Sequence, residues 1–266
     1  MFKRRTIPTL LVLLLTTAVA AIAQESDPLI TDRPDQTESA TTVASGKVQI
    51  EMGGSVEIDT LEANAQRDLV VMSAPGLLVR IGLAKSLELR VGTAFTRTSY
   101  DQFDPNSPGG VGTRFASSQL EGHLGGKVSI FENGDEGFTS ALLGGVSLPL
   151  AGEDGPVSAE LRASVAQDIS SIFSLGLNLG GTWIEGGDVG MFYTLVTGIA
   201  LNESFGTFVE LYGDMPWQDD AAQAFDTGLT WGVLENLQLD IAAGFGLNRE
   251  AADAMFGLGF SWRLPE

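Results

Sequence analysis

GKVQIEMGGSVEI, residues 46–58, decides the fold. Val48, Ile50, Met52, Gly54, Val56 and Ile58 fall on one face, and Gln49, Glu51, Gly53, Ser55 and Glu57 on the other. A period of two is that of a strand with one apolar and one polar face. The pattern returns along the chain. Leu87, Leu89, Val91, Thr93 and Phe95 alternate with Glu88, Arg90, Gly92 and Ala94. Leu120, Gly122, Leu124, Gly126, Val128 and Ile130 alternate with Glu121, His123, Gly125, Lys127 and Ser129. Later segments do the same around Leu161, Leu177, Val209, Leu229, Leu239 and Phe260. The reading is all-β, with about twelve strands over residues 47–266. Connections near 85, 134, 169, 203 and 234 are short. Those near 63, 107, 154, 187, 218 and 250 are longer and carry Asp or Glu; the one expected over Ser99–Phe115 is rich in the turn formers Gly, Pro, Asp and Asn. Alternation of this kind is that of a single up-and-down antiparallel meander with different loops at its two ends.

Upstream, Lys3, Arg4 and Arg5 precede an apolar run, and Ala21-Ile22-Ala23 has the small-x-small form of a signal-peptidase site. Residues 1–23 are therefore expected to be a cleaved secretory signal. Lys3, Arg4 and Arg5 leave with it and no acid does, so twelve Lys and Arg remain against 34 Asp and Glu, a formal charge of −22. Such a surface does not seek nucleic acid by simple attraction. The chain has no cysteine, hence neither disulfides nor thiol chemistry. No later segment approaches about 20 consecutive apolar residues, so no transmembrane helix is expected after the signal.

Alternation alone does not say which face is inside. A soluble β-protein buries its apolar face; a membrane barrel turns it to lipid and lines its lumen with the polar one. Export, many hairpins of about ten residues per strand and short turns alternating with long loops favour the second. Phe95, Phe131, Trp183, Trp231, Phe245 and Trp262 stand near strand ends, where interfacial girdles form. The expectation is a transmembrane β-barrel in the outer membrane of a Gram-negative-type bacterium, among lipid and lipopolysaccharide, inserted by the barrel-assembly machinery.

Thr31-Asp32-Arg33-Pro34-Asp35 with Thr37-Glu38-Ser39, then Gly46 and Gln49-Ile50-Glu51, resembles the outer-membrane transporter family labelled for a MetA-pathway of phenol degradation. Its members share a signal peptide, a TDRP-x-x-TES-like segment, a glycine and a first strand of the type Gln-hydrophobic-Glu. The motif covers roughly residues 31–54 and the layout covers the mature chain. The resemblance implies uptake of small molecules, aromatic and other hydrophobic compounds among them.

Residues 24–46 hold Asp32, Arg33, Asp35, Thr37 and Glu38 close together. They are read either as a plug folded into the periplasmic mouth or as a solvated tether. In the plug reading Arg33 pairs with a lumen carboxylate such as Glu51 or Glu210, and Asp32 or Glu38 with a lumen Arg or Lys. The polar face supplies Glu51, Arg90, Glu121, His123, Lys127, Glu160, Arg162, Glu210, Asp240 and Arg263 as lumen-lining candidates. They form opposite-charge ladders that either line a polar path or fill a narrow barrel and stiffen it. His123 is the one histidine; Ser129 is too far along the same strand to partner it, though another strand could supply a serine, so lipid hydrolysis stands third among the readings and no catalytic residue is assigned. No Walker, dinucleotide or zinc pattern occurs, and neither cofactor nor metal is expected. Loop acids such as Asp101, Asp104, Glu153, Asp154 and Asp188 suit either divalent cations or solubility. The function expected is a channel or transporter for uptake or diffusion of small molecules without chemistry. The alternative is a structural or adhesive barrel with a blocked lumen and acidic partner- or ion-binding loops.

Overall fold

A computed structural model describes residues 28–265 apart from 62–66, 103–112, 134–136, 153–154, 188 and 218. The expected signal peptide and the loop acids Asp104, Glu153, Asp154 and Asp188 lie outside the described residues, as does the side chain of Asp101. Twelve strands follow in order: β1 (Val48–Leu61), β2 (Arg67–Ala84), β3 (Leu87–Gln102), β4 (Thr113–Asn133), β5 (Phe138–Gly152), β6 (Ser158–Asp168), β7 (Phe173–Ile184), β8 (Val189–Ala200), β9 (Phe205–Pro216), β10 (Ala222–Leu234), β11 (Leu237–Gly246) and β12 (Ala254–Leu264). Each pairs antiparallel with its chain neighbour, and β1 closes on β12 with Val48 opposite Leu264 and Glu51 opposite Ser261. Closure removes every sheet edge, which a wall in hydrocarbon requires because lipid offers nothing to an unpaired N–H or C=O.

The interior is polar. The largest fully buried side chains are Arg80, Lys127, Gln49, Glu51, Glu88, Glu210, Asn178 and Asp226. Leu124, Ile130 and Leu258 stand 58%, 60% and 66% exposed on the outside. Charged groups are almost never fully buried unless paired, so this inside-out distribution separates a membrane barrel from a soluble one. Trp183, Trp231, Phe245 and Trp262 are also outward and exposed.

The wall is taller on one side: β2, β3 and β4 run 18, 16 and 21 residues, whereas β6 to β12 run 10 to 13. The connection expected over Ser99–Phe115 is accordingly shorter, because β3 continues to Gln102 and β4 begins at Thr113. Tyr100 pairs with Phe115 across the ladder and their rings stack at 5.2 Å. Ladder hydrogen bonds there override the local turn preference of the sequence.

Both ends of the barrel lie at the rim of the short turns. Gly46 N donates to Gly82 O at 2.8 Å, Lys47 Nζ to Pro265 O at 2.9 Å, and Arg263 N to Asn236 O at 2.9 Å. Short turns mark the periplasmic rim of such barrels.

Candidate functional site: a charged segment inside the barrel

The segment before β1 enters the lumen from the periplasmic rim, turns and returns. At the entry, Arg263 Nη1 donates to Pro28 O at 2.8 Å and Gln49 Nε2 to Ile30 O at 2.8 Å. The chain bends through 34–37. On the way back Thr42 Oγ1 donates to Lys85 O, and Val43 N donates to Glu88 Oε2 at 2.8 Å. Ser39 closes the two limbs, donating from N at 2.8 Å and from Oγ at 2.6 Å to Asp32 Oδ1. Ala40 and Val43 are its buried apolar side chains among the described residues. What holds the segment is mainly polar.

Asp32 is the hub. Its Oδ2 lies 2.6 Å from Arg90 Nη1 and 3.1 Å from Arg80 Nη1, and its Oδ1 lies 3.0 Å from Lys127 Nζ. The three cations come from β3, β2 and β4, so one carboxylate ties three strands to the segment. Around it, Arg80 also meets Glu51 at 2.8 Å and Glu88 at 2.9 Å, and Arg90 meets Glu88 at 3.0 Å and Glu38 at 2.7 Å. The Asp32 backbone N–H donates to Glu51 Oε2 at 3.1 Å. Burial works to raise the Asp32 carboxyl, but Arg80, Lys127 and Arg90 overcome it and hold the group well below the usual carboxylate range. Glu38 goes the other way: burial, only partly offset by Arg90 and reinforced by Asp32, pushes it up to about 7. Buried charges in this number are sustained only by mutual pairing and hydrogen bonds.

The opposite flank of the segment meets acids and amides. Glu210 on β9 accepts from Gln36 N at 2.7 Å and from Thr37 Oγ1 at 2.5 Å, and Thr37 also meets Thr194 Oγ1 at 2.6 Å. Asn178 clamps Glu38, accepting from its N–H at 2.8 Å and donating to its carbonyl at 3.1 Å. Thr31 accepts from Gln238 at 3.1 Å. Burial, then the negative charge of Glu210, pushes the Asp35 carboxyl well above its ordinary value.

Arg33 pairs with a lumen carboxylate as expected, but with Asp240 and not with Glu51 or Glu210. It reaches β11 and β12, where Nη2 lies 3.2 Å from Asp240 Oδ1 and donates to Leu258 O at 3.1 Å. The reason is occupancy: Glu51 is engaged by Arg80 and the Asp32 backbone, and Glu210 by Gln36 and Thr37. The guanidinium lies against the wall at Gly53 and Gly259, where a Cβ would meet it within 2.6 Å, so any side chain at either position displaces it.

Of the other lumen candidates, Arg263 holds the entry of the segment and Lys127 also donates to Ser39 O at 2.8 Å. Arg162 pairs with Glu160 at 2.9 Å, donates to Gln36 O at 3.1 Å and packs over the Phe192 ring at 4.4 Å. Glu121 accepts from Gln119 at 2.8 Å. His123 Nδ1 sits 3.3 Å from Ser147 Oγ, directly across the β4–β5 ladder. Above the segment these groups border a cavity of about 340 Å³, whose lining includes Glu38, Arg90, Glu121, His123, Ser147 and Arg162. Arg80, Glu88, Gln49, Asn178 and Asp226 belong to the same interior. Alternation places all of them on the polar face, but composition does not single them out.

The comparisons fit this geometry. A COG4313 outer membrane channel from Pseudomonas putida F1 shares the fold with TM-score 0.62 at 13% identity, covering 87% of this chain and 99% of that one. The transport unit of the autotransporter AIDA-I from Escherichia coli gives 0.56 at 10%, covering 81% and 90%. A KdgM porin in complex with disordered oligogalacturonate gives 0.52 at 9%, covering 80% and 98%. At these identities the likeness is one of fold. No curated protein matches the chain. The model of the family described as "Putative MetA-pathway of phenol degradation" matches residues 31–264, from the first residue of the internal segment's charged motif to the last residue of β12, and the chain belongs to that family.

Proposed function

We propose that the protein is an outer-membrane channel for small molecules and that residues 28–46 are the plug that closes it. The observation that carries this reading is the way the plug is held. Ion pairs and single hydrogen bonds bind it, Ala40 and Val43 are its buried apolar side chains among the described residues, and both its limbs lead to the periplasmic rim. Such a segment leaves or shifts without unfolding the wall, whose strands pair with one another and not with it. The cavity above it supplies a vestibule on the side of the longer loops.

The lumen chemistry points to the class of solute. On the strands, Glu51, Glu88, Glu121, Glu160, Glu210, Asp226 and Asp240 outnumber Arg80, Arg90, Lys127, Arg162 and Arg263. A net acidic path favours neutral and cationic solutes over anionic ones. Small neutral aromatic compounds, which the family label suggests, meet no charge barrier there. Conductance in planar bilayers tests the reading. The variant lacking residues 24–40 should conduct well above the mature chain while remaining a folded barrel. Equal conductance would leave the rigid, filled barrel, the reading favoured by the completeness of the ion network around Asp32.

A further inference from the structure

The two flanks of the plug meet opposite electrostatics. Toward β2, β3 and β4 its acids face cations. Toward β9 and β10 acid faces acid. Glu210 and Asp226 are directly opposite each other across the β9–β10 ladder, 1% and 0% exposed. Asp35 of the plug lies in the field of both, and in that of Asp32. Like charges directly opposite on a sheet repel even in water, and withdrawal from water multiplies the effect.

Among the described residues no cation pairs with this cluster. Glu210 accepts from the plug, through Gln36 N and Thr37 Oγ1, and its neighbour on the wall is Asp226. Apart from Glu210 itself, neither oxygen of Asp226 has a hydrogen-bond partner among the described residues. From β8 the cluster is faced by Thr194, from β9 by Tyr212, and from β11 by Gly244. Glu57 on β1 and Asp214 on β9 add negative charge farther along the same flank. Two cations approach the bend of the plug, but Arg33 pairs with Asp240 and Arg162 with Glu160. Among the described residues no group of three or more acids or histidines is placed to hold a metal ion. Protons are the charge this geometry accommodates. A cavity of about 280 Å³, lined by Gln36, Glu57, Tyr212 and Asp214, borders the flank and gives water and protons a route to it.

We infer that the plug is latched by protons at its apex. While the Asp35, Glu210 and Asp226 carboxyls share protons, the bend at 34–37 stays hydrogen-bonded to Glu210 and the lumen is shut. When those protons leave, three neighbouring negative charges drive the bend off the β9–β10 wall. The Asp32 limb stays tethered to its cations, so the plug swings and does not leave the barrel. The channel therefore opens as external pH rises. The inference rests on the reading of residues 28–46 as the closing element, and its test has a readout that does not need conduction.

Gln36 is exposed and the chain has no cysteine, so Gln36→Cys carries a spin label at the apex and nowhere else. In the full mature chain in lipid vesicles the label should be immobile at roughly pH 5 and mobile at roughly pH 9, ordinary carboxyls being already ionised over most of that range. The docked fraction should fall about tenfold per pH unit for each proton released. In the unlabelled chain, conductance should rise over the same range. Asp35→Asn combined with Asp226→Asn removes two of the three charges and should keep the label immobile throughout. A label equally immobile at both values in the wild-type background overturns the latch, and so does a double variant that releases like wild type. If the variant lacking residues 24–40 fails to conduct, the channel reading falls, while the label still decides the latch.

Discussion

Asp32 Oδ2 stands 2.6 Å from Arg90 Nη1, and both side chains are almost wholly withdrawn from water. With Arg80 and Lys127 on the same carboxylate, this contact makes a residue outside the barrel sequence the electrostatic centre of the barrel interior. Asp32→Asn leaves three buried cations with Glu51, Glu88 and Glu38 as their remaining partners. Removing one member of a buried network costs about 3–5 kcal/mol. The loss should fall on docking of the plug and not on the strands. Protease should cut residues 28–46 in the folded variant and spare them in the wild type.

Arg33 offers a contrast of magnitude. Its side chain is 26% exposed, and its Nε and Asp240 Oδ2 find no hydrogen-bond partner among the described residues. Arg33 meets one carboxylate where Asp32 meets three cations, so its pair anchors the segment through fewer contacts. Arg33→Ala should therefore loosen the plug far less than Asp32→Asn in the same protease assay. A larger effect for Arg33 would reverse the ranking of the two anchors.

The outer face is tested by charge. Val128, Leu161 and Leu239 are 41%, 53% and 40% exposed and sit mid-strand on the apolar side. Arg at any of them should cost about 2–4 kcal/mol near the bilayer midplane. Urea titration of folding into lipid vesicles reads this directly, and tolerance at all three would contradict the inside-out assignment.

The wall was legible in the sequence because its period is local. Alternation from Val48 to Ile58 and from Leu120 to Ile130 separates lipid-facing from lumen-facing residues without knowledge of any partner strand. The hub was not legible, because its geometry depends on register between strands. Arg80, Arg90 and Lys127 reach one carboxylate only because β2, β3 and β4 pair with Arg80 opposite Arg90 and Glu88 opposite Lys127. Arg33 was expected on a lumen carboxylate and meets one, but Asp240 and not the Glu51 or Glu210 offered as examples, since sign complementarity alone does not reveal which carboxylates other donors already occupy. Strand ends were obscured for a different reason. Beyond the membrane a ladder needs no apolar face, so the polar stretch around Tyr100 and Phe115 resembled a loop.

The pH dependence of the Asp32 and Glu38 anchors has opposite signs. Asp32 is held well below its ordinary value, so its contribution is complete above the usual carboxylate range and is lost as pH falls through the lowered value. Glu38 is raised from 4.5 to about 7, so its share of docking is fully present below 4.5 and declines as pH rises through about 7. Glu38→Gln should flatten the decline between 4.5 and about 7 and leave the acid limb unchanged. Protease protection of the plug measured from about pH 7 down to below the usual carboxylate range checks both limbs.

Ion selectivity follows from what the plug uncovers. In the variant lacking residues 24–40, the β2–β4 wall keeps Arg80, Arg90 and Lys127, with Glu51 and Glu88 still among them. That side comes close to neutral. Across the lumen, Glu210, Asp226 and Asp240 lose the plug contacts that occupied Glu210 and Asp240 and face water without a counter-charge. Rehydrated carboxylates ionise, and a lumen with one near-neutral and one acidic wall concentrates cations. The reversal potential across a salt gradient should therefore indicate cation preference. Asp240→Asn combined with Glu210→Gln in the same background should reduce it, and raising the salt should weaken it by screening. An anion preference in the plug-less channel would place the selectivity on Arg80, Arg90 and Lys127, and would rule out the acidic wall as its source.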